Sequence, residues 1–294
     1  MTTRRRTAPR KPVPVTHPPL AFLDQDFLMS QEARTLRILA EYLEPAKRFE
    51  EHDVKDTVVF FGSARIKPRD EAERMLAEAR AARHRVAVAR QQVRMSRFYE
   101  ETRELARRLT EWSKGLPGGK RFVVCTGGGP GIMEAANRGA SEARGINIGL
   151  NIALPFEQAA NPYSTHSLTF QFHYFFMRKF WFAYFAKAMV FMPGGFGTLD
   201  ELAECLTLCQ TFKLKKRMPM VLYGTDFWRK ALDFNALVEA GTVSRGDLDL
   251  IYRTDTVDDA FDFVTGALTG KAIEETGGTL EHATGVLGGV VRAL

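Results

Sequence analysis

Apolar residues along the chain fall into two recurring patterns. Short continuous runs, rich in β-branched and aromatic residues, occur at Thr57–Phe61, Phe122–Cys125, Ala188–Met192 and Pro219–Tyr223, and Asn147–Asn151 and Leu248–Tyr252 add two short segments with polar residues among the apolar ones. Such runs read as strands buried on both faces of a parallel sheet. Longer stretches between them read as helices: Ala21–Phe49 with a break at Pro45, Phe170–Lys187, Phe227–Ala240 and Val257–Leu268. Strands alternating with helices predict an α/β fold. Arg69–Lys114 contains no glycine or proline. One helix of that length would span roughly 70 Å, too long for a compact domain. The pattern therefore predicts a break near Val86–Val93, with Ser96 capping the second helix. No repeat or linker divides the chain. The expected organisation is one domain over 21–270 with helical N-terminal additions, between a disordered basic tail (1–20) and a glycine-rich C-terminal tail (271–294).

Composition adds limits. The 294 residues are 45% apolar, enough for a full core. No uncharged apolar run reaches the roughly 18 residues that a membrane span requires, and no apolar segment follows the N-terminal arginines as a secretory signal would need. Cys125, Cys205 and Cys209 lack metal-site spacing, which fits a reducing cytoplasm. The net charge of +6 is local. Arg4, Arg5, Arg6, Arg10 and Lys11 lie in the first twenty residues without an acid, and removing them leaves +1. A nucleic-acid role is therefore not expected of the body; the tail reads either as a solvated segment or as a contact for nucleic acid or an acidic partner. The arginines of 69–114 alternate with glutamates, as on a solvated helix face.

The chemistry concentrates in Lys187-Ala-Met-Val-Phe-Met-Pro-Gly-Gly-Phe-Gly-Thr-Leu-Asp-Glu201. A buried strand runs into a glycine loop and then a helix. Gly194, Gly195 and Gly197 let a ligand approach the backbone. Thr198 is a candidate N-cap, with Asp200 and Glu201 in the first turn. A helix start of this kind favours a phosphate, whereas two carboxylates repel one and suit a sugar or a water. Upstream, Arg178 and Lys179 interrupt an aromatic run, and buried cations need partners. Those partners are either a phosphate with the nearby carboxylates or a structural ion pair.

Other loops narrow the class. Gly62-Ser63-Ala64-Arg65 after the first strand suits a nucleotide phosphate or ribose, or is an ordinary turn. Lys114–Lys120 fails as a P-loop: the spacing is wrong and Arg121 stands where Ser or Thr is required. Thr126-Gly-Gly-Gly-Pro-Gly-Ile-Met-Glu134 has strand–loop–helix context, but Glu134 replaces the third glycine of the dinucleotide fingerprint. No acid closes the following strand. A mononucleotide site is favoured over NAD or FAD. The loop Leu154–Gln158, continuing through Asn161 and Tyr163, is either a lid or surface.

Gly127–Ala135 and Pro193–Glu201, with Met177-Arg-Lys179 between them, resemble the Lonely Guy family of cytokinin riboside 5′-monophosphate phosphoribohydrolases, long labelled lysine decarboxylases. The likeness covers roughly Thr57–Leu268. It implies a Rossmann-like, mostly parallel sheet with helices on both faces, a homo-oligomer with sites near the subunit interface, and hydrolysis of the N-glycosidic bond of a nucleoside 5′-monophosphate such as AMP or N6-modified AMP. It needs no cofactor and no metal. The matching catalytic positions are Arg178 and Glu201; matching substrate contacts are Glu157, Lys179, Gly194–Asp200 and Thr207. The glycine loops, with Gly128, Gly129, Gly131 and Glu134, would surround the substrate, with Ser63 and Arg65 as helpers. A decarboxylase is unsupported, for no Schiff-base lysine site is evident. The alternative is a regulator that binds a nucleotide without turning it over.

Overall fold

The computed structural model describes residues 20–117, 120–155, 160–214 and 218–269. The two expected tails lie outside them, except for Leu20. The chain divides into two compact units, residues 1–43 and 44–294. The described part of the first unit holds a 3-10 turn at Ala21–Leu23, α1 (Gln25–Leu28) and the start of α2 (Arg34–Glu51). Asp24 caps α1 by accepting from the Phe27 N–H at 3.2 Å. Arg37 reaches back to the carbonyls of Leu28 and Ser30. The break expected at Pro45 therefore falls earlier, between Leu28 and Arg34.

Pro45 sits inside α2, where a proline costs ~3 kcal/mol. Tertiary packing just beyond it explains the tolerance. Phe49 is buried with ring centroids 5.0 Å from Phe170, 5.4 Å from Trp181 and 5.0 Å from Phe185. Arg48 donates to the carbonyls of Ser167 and Thr169 and lies 3.9 Å over the Phe170 ring.

There follow β1 (Thr57–Phe61), α3 (Arg69–Ala81), α4 (Val86–Lys114), β2 (Val123–Thr126), α5 (Ile132–Glu142), β3 (Asn147–Ile152), β4 (Thr169–Phe172), α6 (Phe175–Phe185), β5 (Ala186–Phe191), α7 (Phe196–Gln210), β6 (Met220–Tyr223), α8 (Thr225–Ala231), α9 (Phe234–Glu239), β7 (Ile251–Thr254) and α10 (Val257–Leu268). The seven strands form one sheet in the order β4-β3-β2-β1-β5-β6-β7, and every pairing is parallel. This is the expected α/β Rossmann-like fold. Both faces of β1 are covered. Val58 and Phe60 join a core with Phe98 and Leu105 of α4, Ile132 and Ala136 of α5, and Val264 of α10. Phe61, on the opposite face, meets Phe182 of α6 at 5.0 Å.

Several boundaries differ from expectation. The break in 69–114 falls at 82–85, where Arg83 and Arg85 both take a left-handed φ of 51°. Ser96 is buried inside α4 and bonds the Val93 carbonyl, so it caps nothing. Phe170–Lys187 is not one buried helix: its ends belong to β4 and β5, and Phe175 and Phe176 are exposed. Phe227–Ala240 is split into α8 and α9 by Asp233, which accepts from the Asn235 and Ala236 N–H groups. The last strand starts at Ile251, after a 3-10 turn. Among the described residues no helix is long and apolar enough to cross a membrane.

Opposite the loop ends of the strands, Asp56 just before β1 receives the Arg121 guanidinium at 2.8 Å and the Phe122 N–H. Burial holds the Asp56 carboxyl above its usual range, while the Phe122 N–H, Arg121 and Lys187 oppose this. The cluster ties together the entries to β1, β2 and β5.

Candidate active site

The sheet order reverses between β1 and β5. The chain winds outward from β1 to β4, returns beside β1, and winds the other way. In open α/β sheets, ligands bind at this switch point, beyond the carboxyl ends of the strands. Here a cavity of about 760 Å³ opens at that seam, lined by the turn after β1, the loop after β5, Gly127 after β2, and side chains of α4, α6, α7 and α8. The two loops are stitched together: Ser63 N–H donates to the Pro193 carbonyl at 3.0 Å, and Met192 N–H to the Phe61 carbonyl at 2.9 Å.

Ten predicted residues line this cavity: Ser63, Arg65, Arg178, Gly194, Gly195, Phe196, Gly197, Thr198, Leu199 and Glu201. The glycines have different reasons. A Cβ on Gly195 or Gly197 would meet nothing within 4 Å, so these two leave backbone open to the cavity. One on Gly194 would strike the Thr198 side chain. Thr198 is not the N-cap; that position is Gly195, and no side chain caps α7. Glu201 lies beyond the first turn, on the buried face of the helix.

Glu201 is only 5% exposed. Its Oε1 lies 3.4 Å from an Arg178 nitrogen. Burial raises its pKa to about 7, against the pull of Arg178 and Lys179. Arg178 is lowered by burial, with Glu201 and Asp200 opposing. Its guanidinium lies 5.1 Å from the Phe175 ring centre and 5.6 Å from that of Phe182, and its Nε is buried without a hydrogen-bond partner. The Oε1 of Gln92, another lining residue, is also buried and unpartnered. Such atoms carry a desolvation cost that a ligand's polar groups can offset.

Other predicted residues lie elsewhere. Lys179 pairs with Asp200 at 2.8 Å and Glu204 at 3.0 Å, away from the cavity lining. Thr207 is exposed and bonds the Ala203 carbonyl. Glu134 accepts from the Tyr99 hydroxyl at 2.7 Å. Gly128 and Gly131 have φ of 70° and 73°, and a Cβ there would collide with Asn151 and with Ser63–Ala64. They serve the packing of the protein on itself. Gly129 is held from below, because Asn161 donates to the carbonyls of Gly128 and Gly129 at 3.0 and 3.1 Å and to Asn137 at 2.9 Å. The segment read as lid or surface thus contains a strut beneath the glycine loop. Glu157 lies outside the described residues.

Sequence reasoning missed Phe61, Ile66, Gln92, Met95, Met133, Phe182 and Phe227, which also line the cavity. Position after a strand flagged the loops, but nothing local marks an inward helix side chain. Among the described residues no lysine lines the cavity, and no cluster of three or more His, Cys, Asp or Glu residues could hold a metal ion.

Residues 133–264 match the family model described as "Possible lysine decarboxylase". In these residues the chain resembles the Lonely Guy family. This region supports a nucleotide-processing role of the phosphoribohydrolase kind. It contains Arg178, Glu201 and both loop glycines 195 and 197, while β1 and its turn precede the matched residues. No curated protein matches the chain. Similar solved structures include the protein TM1055 (22% identity, 72% of this chain and 99% of that one, TM-score 0.45). Others are the molybdenum cofactor binding protein from Rippkaea orientalis (15%, 74% and 99%, TM-score 0.44) and the Moco carrier protein from Chlamydomonas reinhardtii (19%, 73% and 98%, TM-score 0.43).

Proposed function

We propose that the chain hydrolyses the N-glycosidic bond of a nucleoside 5′-monophosphate, AMP or an N6-modified AMP, to the free base and ribose 5-phosphate. The observation that carries this reading is Glu201: a carboxyl with a pKa of about 7, buried against Arg178 at the wall of a nucleotide-sized cavity. A general base works best when its pKa lies near the working pH. The bond electrons leave with the base nitrogen, and positive charge builds on C1′ as in glycoside hydrolysis. The Glu201 carboxylate stabilises that charge and takes a proton from the attacking water; the departing base regains a proton. Arg178 holds Glu201 in place and offers its unpartnered Nε to the substrate. The open backbone at Gly195–Gly197 and the start of α7 receive the 5′-phosphate. Exposed Phe175, Phe176 and Phe196, the last 90% exposed on the cavity wall, support a second copy of the chain at the mouth of the site.

Incubation with AMP should release adenine and ribose 5-phosphate, read by chromatography. Glu201→Gln should lower the rate by roughly 10²–10⁴-fold. Because the base form is required, kcat/KM should rise with pH and level off above about 7. If no nucleoside monophosphate yields free base, the hydrolase reading fails; a rise in Tm with nucleotide but no turnover would point to a binding protein instead.

A further inference from the structure

A second cleft, of about 630 Å³, adjoins the first. Met95 and Phe227 line both. Its wall carries four cations, Arg69, Arg94, Arg97 and Lys230, and a single carboxylate, Asp226, which is itself bonded to Arg229 at 2.7 Å. Further along α4 the arginines are paired. Arg103 meets Glu100 and Glu142, Arg107 meets Glu104 and Glu111, and Arg108 meets Asp258. Along the cleft, Arg94 bonds only the neutral Gln91, and Arg97 lies 4.5 Å over the Phe98 ring. The charges nearest in kind are acidic groups behind them: Arg69 and Arg97 act electrostatically on Glu101, and the Arg69 N–H donates to Glu100. None of the four cations forms an ion pair within 4 Å among the described residues. The balanced face expected of 69–114 thus holds at Arg74, Arg103 and Arg107 but not along the cleft. The cleft gathers unpaired cations beside the candidate active site, where an arginine can bind phosphate oxygens through a planar fork.

We propose that this cleft is an anion subsite for an oligophosphate, meaning two or more linked phosphates. The oligophosphate is either carried on the nucleotide that occupies the first cavity or supplied as a free ion. Only its connection to a nucleotide rests on the function proposed above. Met95 and Phe227 border both cavities, so the two lie side by side, and under this proposal one ligand spans them; the apolar rims at Val93, Phe98 and Phe227 lower the local dielectric and strengthen the charge interaction.

Tripolyphosphate is the probe, titrated calorimetrically against the full chain at low salt. Arg94→Ala/Lys230→Ala, both on solvent-facing helix positions, should weaken binding at least tenfold, while Arg94→Lys/Lys230→Arg should keep it. Wild-type protein that binds no tripolyphosphate at millimolar concentration, or an alanine variant that binds it unchanged, overturns the subsite. A second arm measures the affinities for AMP, ADP and ATP. If the oligophosphate rides on the nucleotide, the alanine variant loses affinity for ADP and ATP but not AMP. If it is a free ion, tripolyphosphate binds equally with AMP present and the nucleotide affinities stay put. Loss of tripolyphosphate binding in the variant, in a protein that turns over no nucleoside monophosphate, keeps the subsite and removes the hydrolase reading.

Discussion

A carboxyl buried beside a guanidinium is ordinarily pushed down in pKa; at Glu201 desolvation outweighs the partner, because Arg178 stands 3.4 Å away and is itself buried. This has a cost to the fold. In the unfolded chain the group titrates near 4.5, in the folded chain near 7. Between those values the folded form binds more protons, so stability falls as pH rises. The stabilising contribution of the protonated form is complete below about 4.5 and is lost through about 7. The gap corresponds to on the order of 3 kcal/mol. Glu201→Gln should therefore raise the Tm at pH 8 by several degrees, with the gain vanishing by pH 4.5; calorimetry across that range checks it. An equal Tm difference at both ends would mean that the carboxyl is not desolvated. A residue that is inactive but more stable is the expected signature of a site whose strain is functional.

At the scale of elements, two glycines that look alike in the chain separate cleanly. Gly131 precedes α5 with a φ of 73°, and a Cβ there would collide with the Ser63 carbonyl oxygen. Gly197 lies within α7 and faces open space. Gly131→Ala should destabilise the protein by more than about 1 kcal/mol, since strain and collision add. Gly197→Ala should leave stability level or raise it by up to ~1 kcal/mol while weakening nucleotide binding. Urea melts with nucleotide titrations distinguish the two, and a reversed order would overturn the assignment of roles. The motif made both glycines visible but not which served the ligand, because that depends on what stands opposite. The strand runs were legible for a similar reason in reverse: a strand buried on both faces, such as Thr57–Phe61, is buried at every position and apolar from Val58 onward, and so declares its bounds. The turn at Arg83–Arg85 was not legible, since arginine carries no preference for left-handed backbone. Ser96 misled because a hydroxyl can bond a helix carbonyl instead of capping a helix, and Thr198 because the helix begins two residues before it, with Gly195 as its cap.

For the whole molecule, the end of the sheet remote from the cavity rests on buried charge. Asp56 and Arg121 are both essentially inaccessible and bonded at 2.8 Å. Removing one partner strands the other, so Arg121→Met should cost about 3–5 kcal/mol. Replacing Asp56 as well, by Asn in the same chain, should recover part of that loss. Guanidinium unfolding of the single and double variants measures it, and full additivity would show that the two groups are uncoupled. The sequence rejected Arg121 as part of a P-loop but offered no hint of this pairing, which joins residues 65 positions apart. Fold class and the Arg178–Glu201 pair were readable; the side chains brought to the cavity by α4 and α8 were not, because only the sheet order determines who faces whom.

That order also bears on how the protein assembles. β1 pairs with β2 about 65 residues later but with β5 about 130 residues later. Contacts between remote parts of a chain form slowly, because loop closure must precede any gain. The seam between β1 and β5 is the more remote of the two, and the cavity lies on it. One half of the sheet can thus gather around β1 before the geometry of the candidate site exists, and the chain acquires that cavity only when its two windings meet.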